Sequence, residues 1–156
     1  MKNLYYYDTM LGVVGIMDNG KEIIEVFYGD KKIEDANIYE STLIKEACRQ
    51  INLFLEGKIK AFDLPIYFKG TEFQMKVWNA LRDIPYGETK SYKDIAEKVG
   101  SPKAYRAVGM TNNKNPISII IPCHRVIGAN GKLVGYGGGI DIKEKLLELE
   151  RVKAED

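Results

Sequence analysis

The chain has 156 residues, 45% of them hydrophobic and 29% charged, with a formal net charge of +1. This is the balance of an ordinary globular protein, long enough for one or two small domains and a real core. No apolar run nears the ~20 residues of a membrane span, the N-terminus lacks the apolar stretch of a secretory signal, and two distant cysteines with one histidine make neither a disulfide framework nor a zinc site, so a reduced, cytoplasmic protein without metal or cofactor is expected.

The charge is unevenly distributed. Residues 1–70 hold 9 basic and 11 acidic side chains. Residues 88–135 hold 8 basic (Lys90, Lys93, Lys98, Lys103, Arg106, Lys114, Arg125, Lys132) against 3 acidic (Glu88, Asp94, Glu97). A locally positive surface suits a polyanion, nucleic acid first. Lysines scattered over a solvated face account for the same numbers.

In chain order, residues 4–28 read as β-structure. Leu11 to Met17 and Ile23 to Tyr28 flank a hairpin signal at Asp18-Asn19-Gly20-Lys21. Residues 30–39 are polar and read as a loop. A helix is predicted from about Thr42 to Glu56, with Ile44, Ala47, Ile51, Phe54 and Leu55 on its apolar stripe and Gly57 closing it. Cys48 falls inside this helix and is assigned no chemistry. Residues 58–70 form a connector with a short extended piece at Pro65 to Phe68. The expected domains are therefore 1–70, β-rich with one helix, and 71–156.

A helix follows from near Thr71, with Phe73, Val77, Ala80, Leu81 and Ile84 at helical spacing, and Pro85-Tyr86-Gly87 stops it. Ser91 with Asp94 resembles a capping box for a helix over Tyr92 to Val99, closed by Gly100. Ser101 and Pro102 are placed to open a second short helix over Lys103 to Met110. Two short helices joined tightly, the second small and basic, fit a helix-turn-helix. They also fit a helical hairpin packed on the core. Ala104, Ala107 and Gly109 allow close packing in either case. Asn112 to Pro116 is read as the break after it.

Ile117 to Ile121, four isoleucines and a serine, reads as a short buried strand ended by Pro122. Cys123 then lies at the end of a rigid element, next to the sole histidine, His124. A thiol attacks as thiolate, and a nearby base or cation favours that form. A cysteine after an apolar strand is also commonly a small buried hydrophobe. Further on, Asn130-Gly131 marks a turn. Gly135-Tyr136-Gly137-Gly138-Gly139 allows the main chain close to a flat ligand, without the spacing of a phosphate-binding loop. The last helix is expected to be capped by Asp141, with Ile142, Leu146 and Leu149 as its core stripe. Glu150 reads locally as a surface charge, or as the carboxylate partner of the Cys-His pair.

The ordered set Phe73-Gln74, Val77-Trp78, Ile84-Pro85-Tyr86-Gly87, Ser91-Tyr92, Arg106-Ala107-Val108-Gly109, Asn115-Pro116, Ile121 to Ile127 and Tyr136 before the glycines resembles the methylated-DNA–protein-cysteine methyltransferase (O6-alkylguanine-DNA alkyltransferase) family. The resemblance covers roughly Phe73 to Glu150. It implies an α/β (α+β) fold, a ribonuclease-H-like, β-rich N-terminal domain followed by a helical domain with a helix-turn-helix and an active-site loop. It implies single-turnover transfer of an alkyl group from O6-alkylguanine, and from O4-alkylthymine, in duplex DNA to Cys123, by a monomer that needs no cofactor or metal. His124 would act as base through a water, Glu150 would orient it, and Tyr92 would donate to the flipped guanine. Arg106 would fill the vacated base stack from a helix that also presents Ala104, Tyr105, Ala107 and Gly109 to DNA. Asn115 would tie that helix to the active-site loop, and Tyr136, Gly137 and Gly138 would shape the base pocket. Tyr105 stands where many relatives have a small residue, and Gly137 where some have serine. Apart from the resemblance, a thiol hydrolase built on Cys123, His124 and Glu150, or a DNA-binding regulator, would use the same segments.

Overall fold

The computed structural model describes residues 1–155; Asp156, the last residue of the expected second domain, lies outside them. The fold is mixed α/β, with a four-stranded sheet, a two-stranded pair and five α-helices among the described residues. The backbone packs as two compact units, Met1–Phe68 with Pro116–Ile120, and Lys69–Asn115 with the chain from Ile121 onward.

The first unit carries β1 (Lys2–Thr9), β2 (Gly12–Asp18), β3 (Ile23–Tyr28), β4 (Ala36–Ile38) and α1 (Thr42–Leu55). The sheet order is β3-β2-β1-β4, antiparallel except for the parallel β1/β4 pair. The hairpin at 18–21 is present as predicted. Asp18 is buried and accepts hydrogen bonds from Asn3 Nδ2 at 3.0 Å, the Gly20 backbone N–H at 3.2 Å and Ser41 Oγ at 2.5 Å. Ser41 in turn accepts from the Ile44 N–H and caps α1. One carboxylate thus joins the hairpin turn to the helix start. Ile44, Ala47, Ile51 and Phe54 of α1 are fully buried, as the apolar stripe requires.

Two expectations for this unit are corrected. Residues 30–39 are not all loop, because β4 pairs with β1 over Lys2↔Ala36 to Leu4↔Ile38. An edge strand is held by main-chain bonds and needs no apolar side-chain alternation. Ile117 to Ile121 is not a strand. Only Ile117 pairs, as an isolated bridge to Val26, flanked by Val26 N–H to Pro116 O at 2.9 Å and Ser118 N–H to Val26 O at 3.0 Å. The chain then folds on itself, with the Ile120 N–H donating to Ser118 O at 2.8 Å around Ile119 at φ +72°. That is a γ-turn with a β-branched residue in the left-handed region, an uncommon and strained arrangement. It costs about 1–3 kcal/mol, and the buried Ile119 side chain holds it in place.

The second unit carries α2 (Glu72–Arg82), β5 (Lys90–Ser91), α3 (Tyr92–Lys98), α4 (Tyr105–Asn113), β6 (Val126–Ile127) and α5 (Ile140–Lys153). Capping boxes open α2 at Thr71/Gln74 and α3 at Ser91/Asp94. The Trp78 indole N–H donates to Thr111 O at 3.0 Å and fixes α2 to α4. Parallel pairing of Lys90 with Val126 and Ser91 with Ile127 sets the start of α3 beside the chain leaving Arg125.

Here too the sequence reading is corrected at helix ends. Ser101 does not cap α4: the Ala104 N–H donates to Ser101 O at 2.8 Å, so residues 101–104 form a separate turn and the helix starts at Tyr105. Asn112 lies inside α4 and Asn113 is its last residue, so the break comes at Lys114; Asn112 turns its amide inward to a backbone partner. Asp141 does not cap α5; Gly139, at φ +97°, holds that position, where a glycine adopts the left-handed backbone without steric cost.

Candidate active site

The Cys123 N–H donates to Ile121 O at 2.8 Å around Pro122, whose φ of −81° and ψ of 62° form an inverse γ-turn. The chain then closes one 3-10 turn over Cys123–Arg125. Proline's fixed φ presets this entry, and the tight turn replaces the extended geometry in which neighbouring side chains point apart. Cys123, His124 and Arg125 are all buried.

Glu150 is the organising carboxylate, and it is 1% exposed rather than on the surface. Its Oε2 lies 2.5 Å from His124 Nε2 and accepts from Arg125 Nη2 at 3.1 Å. Its Oε1 accepts from Arg125 Nε at 2.8 Å and from the Gly87 N–H at 3.1 Å. The remaining Arg125 nitrogen, Nη1, donates to Ile84 O at 2.7 Å. Buried charge is tolerated because each guanidinium nitrogen and each carboxylate oxygen of the pair has a partner. Gly87 is needed where it stands. At φ +83°, a Cβ there would come within 2.6 Å of Ala154 Cβ, just past the end of α5.

The electrostatics assign proton positions. Burial lowers the His124 pKa below its ordinary range, and the pull of Glu150 the other way does not restore it. Burial pushes Glu150 up, but hydrogen bonds and charge from His124 and Arg125 outweigh it and leave the carboxyl below its usual range. Arg125, permanently protonated, is the partner that lasts when His124 is neutral. A neutral imidazole that donates from Nε2 to Glu150 leaves Nδ1 as an acceptor. Nδ1 is buried and has no hydrogen-bond partner among the described residues.

The Cys123 thiol is raised by burial. Hydrogen bonds from the Asn115 and Tyr136 side chains, and the positive charge of Lys143, draw it the other way. Lys143 is completely buried on α5, and its Nζ donates to Val134 O at 3.2 Å. Its own pKa is lowered by burial. Tyr92, at the start of α3, donates to the same Val134 carbonyl at 2.9 Å, and its hydroxyl is raised first by burial and then by Cys123. Asn112 Nδ2 donates to Cys123 O at 3.3 Å, and Asn115 Nδ2 to Ile121 O at 2.7 Å. The end of α4 is thereby bound twice to the turn that bears the thiol. Gly137 and Gly138 are the central residues of a turn closed by the Gly139 N–H to Tyr136 O at 2.9 Å. A Cβ at Gly137 would meet nothing within 4 Å.

On α4, Tyr105, Arg106 and Ala107 are exposed, and Ala104, just before it, is half-buried. Gly109 is half-buried and faces the Tyr92 ring, which a Cβ there would meet at an ordinary contact distance of 3.8 Å. The sequence reading brought Cys123, His124, Glu150, Tyr92, Asn115 and Tyr136 into consideration, and all lie in this unit. It missed the roles of Arg125, Gly87, Asn112 and Lys143. Lys143 had a signal: it precedes Leu146 by three and Glu150 by seven, so α5 carries a lysine and a glutamate on its buried stripe.

The family described as 6-O-methylguanine DNA methyltransferase, DNA binding domain, matches residues 72–152. The chain is 53% identical over 153 residues to a methylated-DNA–protein-cysteine methyltransferase of Methanosarcina acetivorans, covering 94% of this chain and 98% of that one. Its fold is similar to the crystal structure of the Mycobacterium tuberculosis O6-methylguanine methyltransferase, with TM-score 0.91, 40% identity, and 98% and 94% of the two chains covered. The M. tuberculosis OGT crystallised in complex with DNA matches with TM-score 0.91 and 42% identity over 97% and 94%.

Proposed function

The chain belongs to the methylated-DNA–protein-cysteine methyltransferase family, and on that premise we propose that it repairs duplex DNA by moving an alkyl group from O6-alkylguanine, and from O4-alkylthymine, to its own Cys123, once per molecule. The observation that carries this reading is the buried array of Cys123, His124, Glu150 and Arg125, with His124 Nδ1 left as an acceptor.

His124 takes the thiol proton at Nδ1 through a water while Glu150 holds its other nitrogen. The Lys143 ammonium favours the thiolate that results. The sulfur attacks the saturated carbon on O6. An S–C bond forms, the C–O bond breaks, and its electron pair stays on the guanine oxygen. The Tyr92 phenol supplies a proton to the purine as that charge develops, and in net terms the thiol proton ends on guanine. Tyr92 gives its hydroxyl to Val134 O in the free protein, so a bound base takes over a donor already aimed by packing. The thioether has no route back, which makes each chain a single-use reagent.

The alkylated oxygen is concealed in a duplex, so the base is turned out. Residues 71–156, apart from the stretch 116–120 that packs with the first unit, form the DNA-binding alkyltransferase domain, with α3 and α4 as its helix-turn-helix and Arg106 entering the stack. Residues 1–70 form the ribonuclease-H-like domain, and the protein acts as a cytoplasmic monomer. Among the described residues no helix is long and apolar enough to cross a membrane.

The test is intact mass after incubation with duplex DNA carrying O6-methylguanine. One methyl per chain, mapped to Cys123, is expected. Release of product without a gain in mass would overturn the proposal in favour of a turning-over hydrolase.

A further inference from the structure

The exposed face of α4 is centred on Arg106. Helical spacing puts Met110 and Asn113 on the same line, at i+4 and i+7, while Val108, Thr111 and Asn112 fill the buried side. Met110 is 64% exposed and Tyr105, at the start of the helix, 38%. The Tyr105 ring stands near two cations, with Lys93 Nζ 5.6 Å and Arg106 Cζ 6.0 Å from its centroid. The α4 sequence has no carboxylate. On neighbouring α3, Asp94 is turned to the Ser91 N–H and Glu97 is exposed.

Single exposed apolar side chains are normal on a protein surface. Two that flank one arginine, on a helix whose other exposed groups are small, polar or cationic, have a chemistry the cations lack. Lys93, Lys103, Arg106 and Lys114 draw in phosphate at long range. A thioether and a phenol ring gain only on contact, by excluding water from sugar and base surfaces or by stacking.

We propose that Tyr105 and Met110 form an apolar shoulder on either side of Arg106 that packs against duplex DNA next to the extruded nucleotide. This rests on α4 being the DNA-facing helix. Its consequence is a division of binding into two parts, a phosphate part that weakens with salt and a shoulder part that does not.

The test is a salt titration. Binding of a duplex carrying O6-methylguanine is measured for Tyr105→Ala/Met110→Ala on a Cys123→Ala background, which stops transfer. Affinity should fall roughly tenfold at every salt concentration, with the log–log slope unchanged, because no phosphate contact is lost. Tyr105→Phe/Met110→Leu should restore it. With Cys123 intact, the double alanine variant should react with free O6-methylguanine as the parent does. Unchanged or tighter duplex binding, or a shallower slope, would overturn the proposal. So would an equal loss on the free base, since the side chains would then support the fold. If the parent itself takes no methyl from the duplex, the repair reading fails separately and first.

Discussion

Tyr92 and Lys143 donate hydrogen bonds to one oxygen, the carbonyl of Val134, at 2.9 and 3.2 Å. They come from different helices, and the carbonyl belongs to the loop that carries Tyr136. Removing the lysine both frees that loop and takes a favourable charge away from the Cys123 thiolate. Lys143→Met should raise the pH midpoint for alkylation of Cys123 by iodoacetamide. One pKa unit corresponds to about tenfold less thiolate at neutral pH, and single-turnover transfer should slow accordingly. Peptide mass mapping reads the midpoint, with Cys48 as internal comparator; an unmoved midpoint would mean Lys143 serves the loop alone.

Cys123→Ala should abolish transfer and leave duplex affinity nearly intact. The groups expected to meet DNA lie on α4 and its flanks, whereas the thiol is buried. A large loss of affinity in this variant would contradict that separation.

Glu150→Gln should impair both chemistry and stability. It weakens the hold on His124 and leaves the buried Arg125 without its counter-charge, which costs about 3–5 kcal/mol where one partner of a buried pair is removed. Thermal unfolding and single-turnover rates measure the two effects. A variant as stable and as fast as the parent would place the third member of the relay elsewhere.

Acid should destabilise the fold in two stages. His124 and Glu150 both have folded pKa values below their ordinary 6.5 and 4.5, so the unfolded chain binds their protons more tightly. Their stabilising contribution is present above those unfolded values and is lost as pH falls through the folded ones. Melting temperature should begin to drop below about pH 6.5 from His124 and fall further below about pH 4.5 from Glu150. His124→Asn should flatten the upper stage only, and a decline of unchanged shape in that variant would refute the assignment.

Arg106→Lys keeps the charge and removes the planar group that stacks. If Arg106 fills the space of an extruded base, transfer from duplex DNA slows while reaction with the free alkylated base hardly changes. Single-turnover rates on both substrates decide this. Equal losses on the two, or none on either, would leave Arg106 as a phosphate contact.

The sequence was legible where local chemistry and periodicity agree. Ser91 and Asp94 specify the start of α3, and the α1 stripe gives its buried face, because both depend on neighbours within one turn. The reading failed where distant main chain decides. β4 exists because β1 has an open edge beside it, and the isoleucines at 117–121 form turns because the chain must reverse before Pro122. The Cys-His pair was visible as a motif. Its setting was not, since the burial of Glu150, the capture of Arg125 and the inward lysine depend on α5 meeting a turn that lies 25 to 26 residues before Glu150.

Glu150 accepts four hydrogen bonds from two separate stretches of chain, at Gly87 and at His124 and Arg125, and so ties both to its own helix. Selection for reactivity and selection for a folded chain therefore act on the same two oxygens. A library of variants screened only for solubility would retain this glutamate even if alkyl transfer no longer mattered, and its persistence in such a library could not be taken as a sign of catalysis.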